Sequence, residues 1–269
     1  MKGEQEELGV GIFGCGHLGT AIALRLVQSG YPIQKILVSC LDTDKAKKRL
    51  KNTQLKNNVV GNKYLLERSD VVFYGVRPSD VKAILKYRLK KGAVLMTLLA
   101  GTPLQKVKTS NDEEIDKVRV MTSAPDTIKN GQGLCARFGE NTDKADEVLQ
   151  YLKLNMVSLE SENDFNAFTA YGPCLPIALA CCEKFGKEVV AGEIEAAADS
   201  QGLMNWKSVI QWAYSAKPSL SNSAFDSYLE SVCTPGGVTE AIVNTIKSGN
   251  ALIDSLNKGV ERSVQLIRE

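Results

Sequence analysis

Three glycines near the start of the chain have the spacing of a phosphate-binding turn. Gly14, Gly16 and Gly19 follow an apolar stretch, Val10–Phe13, and precede a helical apolar pattern at residues 20–28. In a strand-to-helix unit of this kind, the first glycine permits a tight turn and the second admits a pyrophosphate to the backbone. The third lets the helix pack closely on the strand, and the helix N-terminus faces the anion. The pattern predicts a dinucleotide-binding turn, although glycines also mark ordinary strand-to-helix turns.

A second candidate site lies in the C-terminal half, where residues 233–239 read Cys-Thr-Pro-Gly-Gly-Val-Thr and lead into a helical pattern. An enzyme that uses a nicotinamide cofactor must hold its substrate beside the cofactor ring. The backbone N–H groups of Gly236 and Gly237 lie near a helix start without side chains beside them, so they suit a carboxylate. Thr234 and Thr239 add two hydroxyls. The alternative is a simple turn between helices in which Thr239 is the N-cap residue.

The residues that end the second predicted strand bear on which nucleotide is bound. Folds of this type that select NAD have an Asp or Glu there, whereas this chain has Ser39 and Cys40. The missing carboxylate removes repulsion toward a 2′-phosphate, and Ser39 with Lys45 offers hydrogen bonds and a positive charge. NADP is therefore favoured over NAD. Asp42 and Asp44 leave an alternative open, since they either reach the ribose or cap the helix that follows.

The composition indicates an ordinary soluble globular protein. The 269 residues are 43% hydrophobic and 24% charged with a formal net charge of +2, so no strong field favours nucleic acid or a membrane surface. Seven cysteines without a C-x-x-C pair predict free thiols in a reducing compartment. The single histidine, His17, lies in the glycine turn, so we expect no bound metal. No apolar run approaches the roughly 18 residues of a membrane span, and residues 1–8 are acidic and polar, which predicts a cytoplasmic protein.

Hydrophobic periodicity divides the chain into two predicted domains. Strand patterns alternate with helical patterns through about residue 158, and residues 70–76 are apolar enough for a strand buried on both faces. The alternation predicts an α/β fold of the Rossmann type, with a doubly wound parallel sheet, over residues 1–160. Helical patterns follow, apart from a Pro/Ser-rich interruption at 217–223, and predict an all-helical domain over residues 161–269. Apolar stripes on several helix faces favour a homodimer or larger homo-oligomer.

Six short motifs are spread over nearly the whole chain. They are Gly-Cys-Gly-His-Leu-Gly at 14–19, Ser-Asp-Val-Val-Phe-Tyr-Gly-Val-Arg-Pro at 69–78, Leu-Ala-Gly at 99–101, Arg-Val-Met-Thr-Ser-Ala-Pro at 119–125, Tyr-Gly-Pro at 171–173 and Thr-Pro-Gly-Gly-Val-Thr at 234–239. Each motif is unspecific alone, but the ordered set resembles pyrroline-5-carboxylate reductase in both order and spacing. The resemblance implies a Rossmann domain followed by a helical domain that dimerises.

The resemblance also implies a reaction and a set of site residues. The reaction is NAD(P)H-dependent reduction of a C=N bond, with 1-pyrroline-5-carboxylate reduced to L-proline in proline biosynthesis. The hydroxyl of Thr239 is implied to meet the ring nitrogen of the substrate. The residues implied to bind the substrate are Thr234, Gly236, Gly237, Val238 and Ser123. The residues implied to bind the cofactor are Gly14, Cys15, Gly16, His17, Leu18, Gly19, Ser39, Cys40, Asn62, Val76, Arg77, Pro78 and Ala100.

The chain departs from the family pattern near the predicted substrate site. The family usually has asparagine where this chain has Ser123 and Ser231, and a small serine where it has Tyr171. These changes alter the volume and the hydrogen bonding of a pocket, so another imine is the alternative substrate. A relative that binds the nucleotide without reductase activity, as a sensor or interaction protein, is the alternative from a different class.

Overall fold

The chain is organised as two compact units in the computed structural model. The structure describes residues 7–40, 42–76, 78–219 and 222–268. The first unit comprises Met1–Val120 with Pro125–Met156, and the second comprises Met121–Ala124 with Val157–Glu269. The first unit is built on a sheet with flanking helices, whereas the second consists mainly of helices.

Seven strands in the described residues form one sheet. They are β1 (Val10–Phe13), β2 (Ile36–Ser39), β3 (Val71–Tyr74), β4 (Val94–Thr97), β5 (Asp116–Thr122), β6 (Leu134–Phe138) and β7 (Asn155–Ser158). Their order across the sheet is β2-β1-β3-β4-β5-β6-β7. β1 runs parallel to β2 and β3, β3 to β4, and β4 to β5. The chain passes from β1 to β2 on one side and then to β3 on the other, which makes β1 and β3 the switch point where such sheets bind ligands.

Helices cover both faces of this sheet. They are α1 (His17–Gln28), α2 (Thr43–Arg49), α3 (Asn62–Arg68), α4 (Pro125–Lys129) and α5 (Asp143–Leu152), with a 3-10 helix at Pro78–Lys86. Val71 and Phe73 of β3 belong to one buried cluster with residues of α1 and α5, whereas Val72 and Tyr74 belong to another with residues of α3. A strand buried on both faces needs apolar residues at every position. The doubly wound sheet predicted from the sequence is confirmed.

The second unit contains seven helices in the part of the chain that the structure describes. They are α6 (Asp164–Tyr171), α7 (Leu175–Lys184), α8 (Ala191–Ser200), α9 (Lys207–Ala216), α10 (Asn222–Val232), α11 (Val238–Lys247) and α12 (Leu252–Arg268). α12 packs against α6 and α11. Gly259 permits its close approach to α11, because a Cβ at this position would lie 2.6 Å from Cδ1 of Ile242.

One stretch of the helical unit is apolar enough to resemble a membrane span. Asp164–Lys184 is the only such stretch within the described ranges, and 94% of its apolar window is buried. A turn at residues 172–174 divides it into α6 and α7. It is therefore a core element of the helical unit, in which apolar composition reflects burial by neighbouring helices.

Several elements differ from the sequence patterns. β7 is largely exposed and so lacks the apolar alternation that predicts a strand. α10 begins inside the segment predicted as an interruption, and Phe225 and Leu229 bury its apolar face. Val59 lies in the alternating part of the sequence but forms only an isolated bridge to Val38. Local composition did not predict these elements correctly, because packing with residues distant in sequence determines whether such segments form helices or strands.

Buried thiols make the stability of the fold sensitive to alkaline pH. All seven cysteines are free, and burial raises the pKa of Cys135, Cys174 and Cys181 from 9.0 to about 12. These thiols stay protonated in the folded state while the unfolded chain releases their protons. Their contribution to stability is therefore complete below pH 9 and is lost as the pH rises from about 9 to about 12.

We expect the free energy of unfolding to fall by about 1.4 kcal/mol per pH unit for each such thiol in that window. Urea denaturation at a series of pH values measures it. A Cys135→Ala variant, which removes one of the three groups, is expected to show a smaller slope. A free energy of unfolding that stays constant across the window contradicts the prediction.

Candidate functional site

The glycine turn after β1 has three glycines with three different environments. Gly14 has a φ of +113°, and a Cβ there would lie 2.4 Å from the carbonyl oxygen of Gly75. A Cβ at Gly19 would lie 2.1 Å from the carbonyl oxygen of Gly14. A Cβ at Gly16 would meet no atom within 4 Å. The outer two glycines are therefore required by the fold itself, whereas Gly16 leaves space open above the backbone.

The N-terminus of α1 is suited to an anion. Gly16 is its N-cap residue, no side chain caps it, and its first turn contains no acidic residue. The first N–H groups of a helix have no partner within the helix, and the helix dipole adds positive charge there. His17 is exposed and Leu18 is half-buried, whereas Cys15 is buried with its Sγ 3.3 Å from Oγ1 of Thr20. Burial raises the pKa of the Cys15 thiol.

The register of the sheet aligns the ends of four strands. Phe13 lies opposite Ser39 on one side and Tyr74 on the other, and Tyr74 lies opposite Thr97. The residues that follow these ends therefore share one edge of the sheet. From the predicted cofactor set they are Gly14, Cys15, Gly16, His17, Leu18, Gly19, Cys40, Val76 and Ala100. The structure thus brings most of that set together.

Three further predicted cofactor residues are Asn62, Arg77 and Pro78. The N–H of Val60 donates to the carbonyl oxygen of Val38 at 2.9 Å, so the chain enters α3 beside β2 with Asn62 as its first helical residue. Oδ1 of Asn62 is buried and accepts no hydrogen bond, which leaves an acceptor for a ligand. Pro78 begins the 3-10 helix after β3. Arg77 lies outside the described residues.

The end of β2 differs from the sequence interpretation. Ser39 is fully buried, so its hydroxyl is not exposed to a 2′-phosphate in this structure, and its Oγ has no hydrogen-bond partner. Cys40 is half-buried. Asp42 is the N-cap residue of α2 and accepts a hydrogen bond from the N–H of Lys45 at 3.0 Å, which lowers the pKa of Asp42. Of the two alternatives for Asp42, helix capping is the one that the structure shows.

Arg49 is a candidate site residue that the sequence interpretation missed. It is the last residue of α2, and its Nη1 donates to the carbonyl oxygen of Cys15 at 2.5 Å. The bond spans 34 positions of sequence and places an exposed guanidinium beside the glycine turn. A guanidinium binds phosphate through paired hydrogen bonds. The only signal in the sequence is the basic character of α2, which does not indicate where any one side chain lies.

The loop between α10 and α11 contains the predicted substrate-binding residues. Residues 234–236 are exposed, and Gly236 has a φ of +72°, in the left-handed region. Gly237 is the N-cap residue of α11, followed by Val238, which is buried, and Thr239, which is half-buried. Thr239 is therefore the second residue of the helix, and the alternative in which it caps α11 is wrong.

Both glycine N–H groups predicted to bind a carboxylate have partners within the chain. The N–H of Gly236 donates to Oε2 of Glu240 at 2.7 Å, and that of Gly237 donates to the carbonyl oxygen of Thr234 at 2.8 Å. Nε of Arg262 donates to the carbonyl oxygen of Gly236 at 2.6 Å. Glu240 and Arg262 were missed from the sequence. A glutamate three residues after an N-cap was nevertheless a readable signal for Glu240.

A neutral pair of groups lies beside this loop. Sγ of Cys174 is 3.3 Å from Oγ1 of Thr239, across 65 positions of sequence. Cys174 is buried, and burial raises its pKa to about 12, so the thiol is uncharged at neutral pH. The thiol and hydroxyl thus orient each other as donor and acceptor. Among the described side chains, no group of three or more His, Cys, Asp and Glu residues is placed to hold a metal ion.

Two residues that depart from the family pattern are buried. Tyr171 is fully buried, and its hydroxyl donates to Oδ1 of Asn257 at 2.7 Å while its carbonyl oxygen accepts from Nε1 of Trp206 at 2.9 Å. Burial raises the pKa of Tyr171 to about 12. Ser123 is also buried, in contrast to the exposed loop at 234–236. Tyr171 therefore contributes to the core of the helical unit.

Comparison of the sequence with known proteins returns oxidoreductases. A family model described as "NADP oxidoreductase coenzyme F420-dependent" matches residues 9–101, which contain the glycine turn. The pyrroline-5-carboxylate reductase of Aquifex aeolicus (strain VF5) is 27% identical over 165 residues. That alignment covers 60% of this chain and 60% of the relative's length.

Solved structures share the fold over nearly the whole chain. A pyrroline-5-carboxylate reductase from Coxiella burnetii superposes with a TM-score of 0.59 at 20% identity, over 97% of this chain and 99% of that one. The pyrroline carboxylate reductase of Plasmodium falciparum, solved with NADP bound, has a TM-score of 0.57 at 16% identity with the same two coverages. These similarities show a common fold. Together with the sequence match, they confirm the predicted resemblance to the pyrroline-5-carboxylate reductase family.

Proposed function

We propose that the protein is an NAD(P)H-dependent reductase of a cyclic imine, and that it reduces 1-pyrroline-5-carboxylate to L-proline. The observation that carries the proposal is the position of Thr239 at the start of α11, beside a Pro-Gly-Gly loop and in contact with the neutral Cys174. The glycine turn at the start of α1 is the proposed cofactor element. The similarity to the A. aeolicus reductase supports this choice of reaction.

The residues at the carboxyl edge of the sheet fit a dinucleotide. Gly16 leaves the backbone open, the N-terminus of α1 lacks an acidic residue, and Oδ1 of Asn62 lacks a partner. These groups would hold the pyrophosphate and the sugar. We infer a preference for NADPH over NADH, because no carboxylate ends β2 and the guanidinium of Arg49 lies beside the turn.

The chain's own groups bind and orient the substrate. A bound reduced nicotinamide supplies the hydride that the C=N carbon accepts. The N–H of Gly236, which the carboxylate of Glu240 occupies in the absence of substrate, and the hydroxyl of Thr234 bind the substrate carboxylate. The hydroxyl of Thr239 is oriented by its hydrogen bond with Sγ of Cys174, and its oxygen accepts the N–H of a protonated imine. Because the imine binds already protonated, the site needs no histidine or carboxylate as a general acid.

One assay tests the proposal. The purified protein is mixed with NADPH and 1-pyrroline-5-carboxylate, and the loss of NADPH absorbance and the formation of L-proline are followed together. Loss of NADPH and formation of L-proline in equal amounts support the proposed function. Tight NADPH binding without turnover on a panel of cyclic imines contradicts it and favours a nucleotide-binding protein without reductase activity. Turnover of other imines alone contradicts the assignment of pyrroline-5-carboxylate.

Arg49→Ala tests the cofactor preference. We expect the variant to raise the KM for NADPH about tenfold with little change for NADH, because a charge-assisted hydrogen bond to phosphate contributes about 1.5–3 kcal/mol. Steady-state kinetics with both cofactors measure the two values. Lys56→Ala, which removes an exposed cation from the same unit, is the control. If Arg49→Ala changes the KM for NADPH and the KM for NADH equally, Arg49 does not bind the 2′-phosphate.

We also infer that the protein is a cytoplasmic homo-oligomer. Several large apolar side chains of the helical unit are exposed, among them Val190, Met204 and Tyr214. In the proposed oligomer, a second copy of the helical unit buries these groups. The buried free thiols are compatible with a reducing compartment.

A further inference from the structure

The N-terminal turn of α11 holds a carboxylate of the protein itself. Glu240 is the third residue of the helix, and its Oε2 accepts the N–H of Gly236 at 2.7 Å. The Gly236 carbonyl oxygen accepts from Nε of Arg262 at 2.6 Å. The carboxylate of Glu240 and the guanidinium of Arg262 thus hold the N–H and the carbonyl oxygen of the same glycine, Gly236.

We propose that Glu240 competes with the substrate carboxylate for this loop and thereby sets the preference between carboxylated and carboxylate-free cyclic imines. The inference rests on the proposed function, since it concerns the same substrate site. Without substrate, the carboxylate of Glu240 accepts the hydrogen bond from the N–H of Gly236. A carboxylated substrate takes that donor only after Glu240 leaves it, whereas an imine without a carboxylate does not require the exchange.

Charge and hydrogen-bond capacity both limit the loop to one carboxylate at a time. A backbone N–H has a single hydrogen to donate, and the N–H of Gly237 is already bonded to the carbonyl oxygen of Thr234 at 2.8 Å. Two carboxylates that lie within hydrogen-bonding reach of the same N–H group repel each other, and Arg262 adds only one positive charge. The cost of displacing Glu240 therefore raises the KM for a carboxylated imine, without changing the reacting C=N group that determines kcat.

Helix capping alone makes a different prediction. A glutamate at the third helical position that bonds a backbone N–H at the helix start stabilises the helix. If capping is its only effect, removing its charge lowers the melting temperature and changes the kinetics with both classes of imine alike. A selective change in KM is therefore the readout that separates the two roles.

The test compares 1-pyrroline-5-carboxylate with 1-pyrroline, which has the same ring without the carboxylate. In Glu240→Gln, we expect the KM for 1-pyrroline-5-carboxylate to fall about fivefold, in line with a screened interaction of two partly exposed charges. The KM for 1-pyrroline and both kcat values are expected to stay within about twofold of the wild type. Glu193→Gln is the matched control, because Glu193 also lies in the first turn of a helix, α8, and is exposed.

A binding measurement keeps the inference testable without turnover. The affinity of the protein for L-proline and for pyrrolidine is measured by the shift of the Gly236 amide resonance in the wild type and in Glu240→Gln. Tighter binding of L-proline alone in the variant supports competition by Glu240. Unchanged affinity, or an equal change for both compounds, overturns it. Absence of turnover of every imine by the wild type overturns the proposed function instead, and the binding result then decides the inference by itself.

Discussion

Gly16→Ala is expected to raise the dissociation constant for NADPH by roughly 10- to 100-fold while leaving the melting temperature unchanged, since lost hydrogen bonds to a charged group are worth about 1.5–3 kcal/mol. The φ of Gly16 is −76°, which alanine adopts readily, and a Cβ would meet no protein atom within 4 Å. The added methyl group would instead occupy the space through which a pyrophosphate reaches the backbone. Fluorescence titration with NADPH and a thermal melt measure the two quantities.

Two other glycine variants make this result specific. Gly61→Ala is the matched control, because Gly61 is the N-cap residue of α3 and a Cβ there would also meet nothing within 4 Å. It is expected to leave both affinity and stability unchanged. Gly19→Ala is expected to lower the melting temperature, because its Cβ would lie 2.1 Å from a backbone oxygen. Wild-type NADPH affinity in Gly16→Ala shows that the turn does not bind the cofactor.

Thr239→Ala is expected to lower kcat for 1-pyrroline-5-carboxylate by roughly 10- to 100-fold, with a smaller change in KM, because a hydrogen bond to a charged group is lost at the reacting nitrogen. Thr239→Ser keeps the hydroxyl and is expected to retain most of the activity. Steady-state kinetics of the purified variants measure kcat and KM separately.

The same helix offers a control for this prediction. Thr245 also lies on α11, but its Oγ1 donates to the carbonyl oxygen of Ala241 at 2.8 Å. Thr245→Ala therefore removes a threonine hydroxyl from the helix without touching the loop, and we expect kcat to stay near the wild-type value. Equal losses in Thr239→Ala and Thr245→Ala indicate a general effect on α11. Full activity of Thr239→Ala shows that its hydroxyl has no role in the reaction.

The parts of the fold that could be predicted from sequence are those that local physics determines. The positive φ of Gly14 and the close approach of Gly19 to the carbonyl oxygen of Gly14 both arise within one turn, so the spacing of the glycines was enough to place that turn. The apolar run that forms β3 was readable because a doubly buried strand has no polar face. The helical nature of the second unit followed from periodicity in the same way.

The parts of the candidate site that were missed depend on contacts between distant residues. Arg49 meets Cys15 across 34 positions, and Cys174 meets Thr239 across 65. No local sequence pattern indicates that the two residues of either pair lie in contact. The burial of Ser39 was missed for the same reason, because a strand end is exposed or buried according to what packs over it. Glu240 is different, since its spacing from the start of α11 was visible and only the position of the N-cap residue was misjudged.

The buried Ser39 has a consequence for redesign of the cofactor preference. In such folds a carboxylate after the second strand favours NAD and a nearby arginine favours NADP, so the end of that strand is the first position to consider. At Ser39, a charged side chain would be enclosed without a partner, at a cost of several kcal/mol in stability. Half-buried Cys40 and exposed Arg49 are the positions where a protein engineer can change the charge without that penalty.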